Sequence, residues 1–350
     1  MRYTLGIGSY FGIPVRVHIT FPLILLLFGV EAWVGGGWVE SLRAVLLVLA
    51  VFVCVVLHEF GHSLQVMRYG IRVRDVVLLP IGGMARAERI PENPRQEIIV
   101  AISGPLVNFA LAALLFALVW VSGRSFSLES DFLTNLFAIN IVLGTFNLIP
   151  AYPMDGGRIL RGLLALRFSY LRATRYAKNV GQVIALVFVV VGFVYNELIM
   201  LPVIAVFIFF GAISEEGMIR VRSVLGEKTV RDLVANQPPS LASNEPIASA
   251  AALLASRGAP AVAVTGGLPT VVGIVSAASV EVAMRRGESA LPLSSIAEFN
   301  IPIFNAEMPA VQAYYFLRSE KQPVAGVIDA NAFAGLLHFS HIESLLKSAR

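Results

Sequence analysis

The chain has 350 residues, of which 57% are hydrophobic and only 14% charged, with a mean hydropathy of +0.75. A soluble domain carries roughly a quarter charged residues, so this composition excludes a wholly water-soluble protein and marks an integral membrane protein with room for a soluble part. The net charge of +4 is better explained by membrane topology than by nucleic acid, and the single cysteine, Cys54, excludes an internal disulfide.

In chain order, apolar runs predict about six membrane spans, near 15–34, 42–66, 98–121, 132–150, 179–195 and 198–214. The first run lacks a small-residue cleavage site and leads into more membrane, so it reads as a span and not as a removable signal. Arginines gather in alternate loops. Arg68, Arg72, Arg74, Arg86, Arg89 and Arg95 follow span two, and Arg158, Arg161, Arg167, Arg172, Arg175 and Lys178 follow span four. The remaining loops offer Arg43 and Arg124 only. By the positive-inside rule both basic loops and both termini face the cytoplasm, in a multi-pass protein of the cell membrane. Residues 228–350 carry normal charge and read as a soluble tail.

Span two holds His58-Glu59-Phe60-Gly61-His62. On a helix His58 and His62 stand at i and i+4, share a face and can hold one Zn²⁺, with Glu59 beside the metal as a general base for water. Ionisable groups in such an apolar run are costly and mark function by default. The topology puts His58 about eight residues, or roughly 12 Å, from the cytoplasmic end of its helix. A catalytic zinc needs a third protein ligand and an open fourth position. Asp155, the only carboxylate between Phe132 and Leu166, returns to the same half of the membrane just after Pro150 and Pro153 break span four. As a single residue it suits a helix N-terminus equally well. The two histidines in the same membrane half favour the ligand reading.

Three motifs, HEFGH at 58–62, Ser103-Gly104-Pro105-Leu106-Val107-Asn108 and NLIPAYPMDGG at 147–157, together resemble the site-2 protease family of intramembrane zinc metalloproteases. The resemblance covers roughly residues 1–215, and the opening Gly12–His18 is similar too, although His18 is not expected to bind metal. It implies one zinc per chain on His58, His62 and Asp155, Glu59 as the base, and hydrolysis of a peptide bond in or beside a transmembrane helix of a substrate protein. It also offers Asn147, and more weakly Asn108, as donors to the substrate backbone or the oxyanion. Ile71–Ile90 alternates and then breaks at Pro80 and Gly82-Gly83. Family members place there a β-hairpin that dips into the bilayer, and its edge pairs with an extended substrate, so Gly82 and Gly83 are expected at the substrate.

The tail repeats at about 62 positions: Glu245-Pro246 recurs as Met308-Pro309, Ala259-Pro260 as Gln322-Pro323, and Gly273 as Gly335. Each copy reads strand, helix, two strands, helix, and the two resemble a pair of CBS domains. Such pairs commonly dimerise, and many hold adenine nucleotides. The ribose-binding carboxylate is missing here, with Ser279 and His341 in its place, which argues against a nucleotide and for homodimerisation, substrate capture or regulation. The predicted fold class is therefore a multi-pass α-helical membrane protein with a cytoplasmic α+β CBS pair. Residues 1–220 form the metalloprotease domain, and 228–287 and 288–350 form the repeats. The competing class is a CBS-regulated divalent-metal transporter, which would have no need of Glu59 and would show paired broken helices.

Overall fold

The computed structural model describes residues 3–80, 82–88, 93–123, 131–234, 239–259, 261–266, 271–298, 301–330 and 332–348, so that Arg89, Arg124 and Pro260 lie outside the described residues. Two compact units divide the chain, Met1–Glu216 and Gly217–Arg350.

The first unit opens on a hairpin and not a helix. β1 (Thr4–Tyr10) and β2 (Ile13–His18) pair antiparallel around Phe11-Gly12, both at positive φ, as the tightest hairpin turns require. The expected first span therefore begins too early. Ile13 and Val15 alternate with more exposed neighbours and are buried as strand residues, and α1 (Phe21–Arg68) starts only with Pro22 in its first turn. Its 48 residues are interrupted at Gly37, which takes φ +77° and ψ −167°. β3 (Val73–Leu79) lies parallel to β2, and β4 (Gly82–Ala87) closes the sheet in the order β1-β2-β3-β4. Ile13, Val15, Val76 and Phe60 form the buried cluster that seats this sheet on α1.

α2 (Pro94–Val121) starts from Asn93, whose side chain accepts from the Arg95 amide, and α3 (Phe132–Asn147) from Asp131, which caps Thr134. α4 (Asp155–Ala165), α5 (Tyr170–Val194) and α6 (Met200–Leu225) follow. Among the described residues, four helices (α1, α2, α5 and α6) are long and apolar enough to cross a membrane. α3 has 16 residues, short of the roughly 20 that a span uses, so a count of six requires α1 to act as two spans and α3 as one.

A buried ionic cluster ties these helices together. Arg161 of α4 is fully buried, and its Nε donates to Glu97 of α2 at 2.7 Å and its Nη1 to Glu215 of α6 at 2.9 Å. Its guanidinium also lies 5.4 Å from the Tyr152 ring centre and 5.0 Å from that of Tyr170, within cation–π range.

The second unit contains two copies of one order, strand-helix-strand-strand-helix. The first is β5 (Ser240–Ala242), α7 (Ile247–Arg257), β6 (Ala261–Thr265), β7 (Val271–Ser276) and α8 (Ala277–Arg285). The second is β8 (Ile303–Asn305), α9 (Ala310–Ser319), β9 (Val324–Asp329), β10 (Ala332–His338) and α10 (Phe339–Ser348). In each copy the first strand runs parallel and the third antiparallel to the middle one. Ala261 and Ile274 of one sheet share a buried cluster with Val324 and Leu336 of the other, so the copies pack sheet to sheet.

Candidate metal centre

The i, i+4 spacing on α1 does what the sequence requires of it. His58 and His62 are buried on one face, with their Nε2 atoms 3.1 Å apart. Asp155 is the first residue of α4, where the 148–154 loop delivers it, and its Oδ2 lies 3.3 Å from His58 Nε2 and 3.0 Å from His62 Nε2. The alternative role of Asp155 as a simple helix cap is not what its side chain does. It turns to the histidines, and the following Gly156 leaves room for the Leu148 and Ile149 carbonyls.

The far nitrogens decide the chemistry. His62 Nδ1 donates to the Val100 carbonyl at 2.7 Å, and a carbonyl can only accept, so Nε2 carries a free lone pair. His58 Nδ1 donates to Asn108 Oδ1 at 2.5 Å, and Asn108 Nδ2 in turn donates to Asn140 Oδ1 at 3.0 Å. Three lone-pair atoms thus converge with no proton among them, an arrangement that a cation relieves. A tetrahedral zinc with bonds of about 2.0 Å keeps its ligand atoms roughly 3.3 Å apart, which matches the observed triangle.

Gly104 on α2 completes the fit. A Cβ there would stand 2.7 Å from His58 Nε2 and collide with His62 Nε2, so glycine keeps the ion's room open. Gly61 serves the same crossing, where a Cβ would meet the Ser103 carbonyl at 2.7 Å. Among the described residues, His58, His62 and Asp155 are the only group of three or more such side chains able to hold a metal.

A cavity of about 610 Å³ opens from this cluster and is lined by His58, Glu59, His62, Gly83, Asn147, Asp155 and Arg158, among others. Glu59 is half-buried, and its Oε2 accepts from the Ala85 amide of β4 at 2.9 Å. That bond fixes the orientation of the strand. Ala85 points away from β3, whereas the Glu88 amide returns to the Arg72 carbonyl, so Gly83, Ala85 and Ala87 present their main chain at the sheet's free edge. Gly83 is required by close approach, since a Cβ would lie 2.8 Å from Glu59 Cγ. Gly82 takes a positive φ of 136° at the start of β4 and does not line the cavity.

Asn147 lines the cavity and spends one amide hydrogen on the Leu143 carbonyl at 3.0 Å. Asn108 sits elsewhere than a substrate donor would. It is buried behind His58, with both ends of its amide engaged. His18 bonds Thr20 Oγ1 at 2.7 Å and takes no part in the cluster. Sequence reasoning missed Asn140 and Gly104. Asn140 carried no signal beyond being a polar residue in an apolar helix, whereas Gly104 lay inside a motif already noticed.

A buried His-His-Asp centre with a glutamate beside it, its histidines carried on a long apolar helix, defines a membrane zinc hydrolase. The sequence pattern of peptidase family M50 matches residues 46–130 and 125–192. A zinc metalloprotease of Methanocaldococcus jannaschii, MJ0392, is 34% identical over 242 residues, 68% of this chain and 68% of that one. The solved site-2 protease from Methanocaldococcus jannaschii is 36% identical, covering 61% of this chain and 95% of that chain with a TM-score of 0.46. The CBS domain of a bacterial CNNM/CorC family Mg²⁺ transporter is 21% identical, covering 38% of this chain and 82% of that chain with a TM-score of 0.34. The chain belongs to peptidase family M50, the site-2 proteases, and is a zinc metalloprotease.

Proposed function

We propose that this protein cleaves a peptide bond in or beside a transmembrane segment of another membrane protein, with both of its own termini in the cytoplasm. The observation that carries the reading is the convergence of His58, His62 and Asp155 beside Glu59, in a cavity walled by an unpaired strand edge. Six spans follow if α1 divides at Gly37 and α3 crosses with its neighbours. Residues 1–220 would form the protease domain.

Zinc held by the three ligands would polarise the scissile carbonyl and acidify a water. Glu59 takes that water's proton and returns it to the leaving nitrogen. The main chain of Gly83, Ala85 and Ala87 offers an extended substrate a partner strand by β-augmentation, which unwinds it and presents its amide. Pairing there requires Glu59 to leave the Ala85 amide, so docking frees the base. Asn147 contributes its remaining amide hydrogen to the substrate backbone or the oxyanion, and Gly82 sets the strand's entry. Asn108 orients His58.

Residues 228–287 and 288–350 would be the two CBS repeats, acting in homodimerisation, substrate capture or regulation. Ser276, at the strand end where such repeats hold ribose, instead accepts from the Ser279 amide and caps α8, which supports a structural use over nucleotide binding.

The test is cleavage of a tagged transmembrane peptide by the purified protein, comparing wild type with Glu59→Gln at equal zinc content. Wild type should cleave, and the variant should be about 10²–10⁴-fold slower. Equal rates would remove Glu59 from the mechanism, and zinc flux in liposomes without cleavage would favour the transporter class.

A further inference from the structure

Two arginines stand three residues apart on α4 and are used differently. Arg161 is saturated by Glu97 and Glu215. Arg158 lines the metal cavity, and its Nε is buried without a hydrogen-bond partner. It makes no ion pair with any described residue: Glu97 and Glu215 each give Oε1 to Arg161 and Asp155 gives Oδ2 to the histidines, so their charges reach Arg158 only from a distance. A guanidinium without a partner in a shielded site is costly, and its planar fork of donors matches a carboxylate better than any other common group.

We propose that Arg158 is a carboxylate-binding residue of the substrate cavity. The inference rests on the protease reading for where such a carboxylate comes from, and two sources share the chemistry. Hydrolysis breaks the C–N bond, forms a C–O bond from water and leaves a carboxylate on one fragment where a neutral amide stood. An acidic side chain beside the scissile bond brings the same group before cleavage. A merely structural Arg158 would only balance the second negative charge of the Arg161 cluster from a distance.

Binding, not turnover, tests this. Zinc-loaded Glu59→Gln protein in detergent is titrated with two pairs of labelled ten-residue Leu/Ala peptides, one ending in free carboxylate or carboxamide, the other carrying one internal Asp or Asn. At least one pair should show a preference of about 10- to 100-fold for the carboxylate member, the range of a charge-assisted hydrogen bond. Adding Arg158→Gln should bring that ratio to within about threefold, with Arg158→Lys in between. Loss in the first pair alone assigns the product carboxylate, and loss in the second alone assigns an acidic side chain. No preference at the outset, or one that survives Arg158→Gln, overturns the proposal. If Arg158→Gln fails to load zinc, the Lys variant decides, and an undiminished ratio there rejects it. Failure of wild type to cleave any peptide would sink the protease reading, while these ratios would still judge Arg158.

Discussion

The two units are built on opposite rules. All the buried polar and charged side chains among the described residues belong to the first unit: His58, His62, Ser63, Asp75, Glu97, Asn108, Thr134, Asn140, Asp155, Arg161, Thr174, Glu215 and Glu216. That unit also turns large apolar side chains outward, with Trp38 and Phe193 each 71% exposed. Among the described residues the second unit's buried core is almost wholly apolar, largely Ala, Val, Ile and Leu, with Tyr314 and the Nε of Arg220 its polar intrusions. In lipid, apolar contact between helices carries no premium over contact with acyl chains, so specificity passes to small residues and polar contacts. In water the apolar core does that work. Polar residues therefore mean different things in the two halves.

Glycine substitutions test this contrast most severely. Gly104→Ala should abolish zinc binding, taking metal content from one per chain to near zero and proteolysis with it, because the methyl group occupies the ion's room. Gly326→Ala in the second unit meets its nearest atom at 3.6 Å and should change stability by less than about 1 kcal/mol. Metal analysis of the purified Gly104→Ala protein settles the first and the unfolding midpoint of Gly326→Ala the second, and zinc retained in Gly104→Ala would refute the fit argued here.

Charge comes next. Arg161→Ala leaves Glu97 and Glu215 buried without their cation and should cost about 3–5 kcal/mol, whereas Arg161→Met should cost less because it fills the space. The counterpart in the second unit is Arg231, which joins Glu307 and Asp329 at the surface, and Arg231→Ala should leave the unfolding midpoint where it was. Thermal unfolding of the full chain in detergent reads both. Equal shifts would mean that the buried cluster is no more than a surface pair.

What the sequence showed follows the same division. HEFGH and Asp155 were legible because charge in an apolar run has few reasons to exist, and the repeats of the second unit were legible because alternation and breakers recur there. The strand β2 was not read. Ile13, Val15 and Val17 alternate with Pro14 and Arg16 at the period of a strand, but the stretch is only five residues long, runs almost directly into apolar α1, and has one of its two partners, Val76–Leu78 of β3, some 60 residues away. The Arg161 cluster was equally hidden, because its arginine reads as one of a basic loop until Glu97 and Glu215 come to it from two other helices. Asn108 was visible, but its role was not, since a donor to substrate and a prop for a histidine look alike in sequence.

That prop supplies the third prediction. Asn140 reaches the metal only through Asn108 and His58, and Asn140→Leu should weaken zinc binding about 10- to 100-fold while the protein still folds. Chelator competition measures it. Unchanged affinity would show that Asn108 holds His58 without help from Asn140.

The smallest effect lies in the second unit and concerns protons. Burial, assisted by neighbouring His341, holds the His338 imidazole below its ordinary value of 6.5. The folded chain then binds fewer protons than the unfolded chain between the lowered value and 6.5, and stability rises with pH across that window. The full contribution is present above about 6.5 and is lost as pH falls through the folded-state value. The unfolding midpoint of the second unit should therefore drop between pH 7.5 and pH 5, and His338→Gln should flatten that part of the profile. The first unit's response in the same scan has another origin, because His58 and His62 are metal ligands and acid would act there by displacing the ion. Excess zinc should restore the first transition and leave the second unmoved. A second transition that also shifts with zinc would mean that the two units do not keep their chemistry apart.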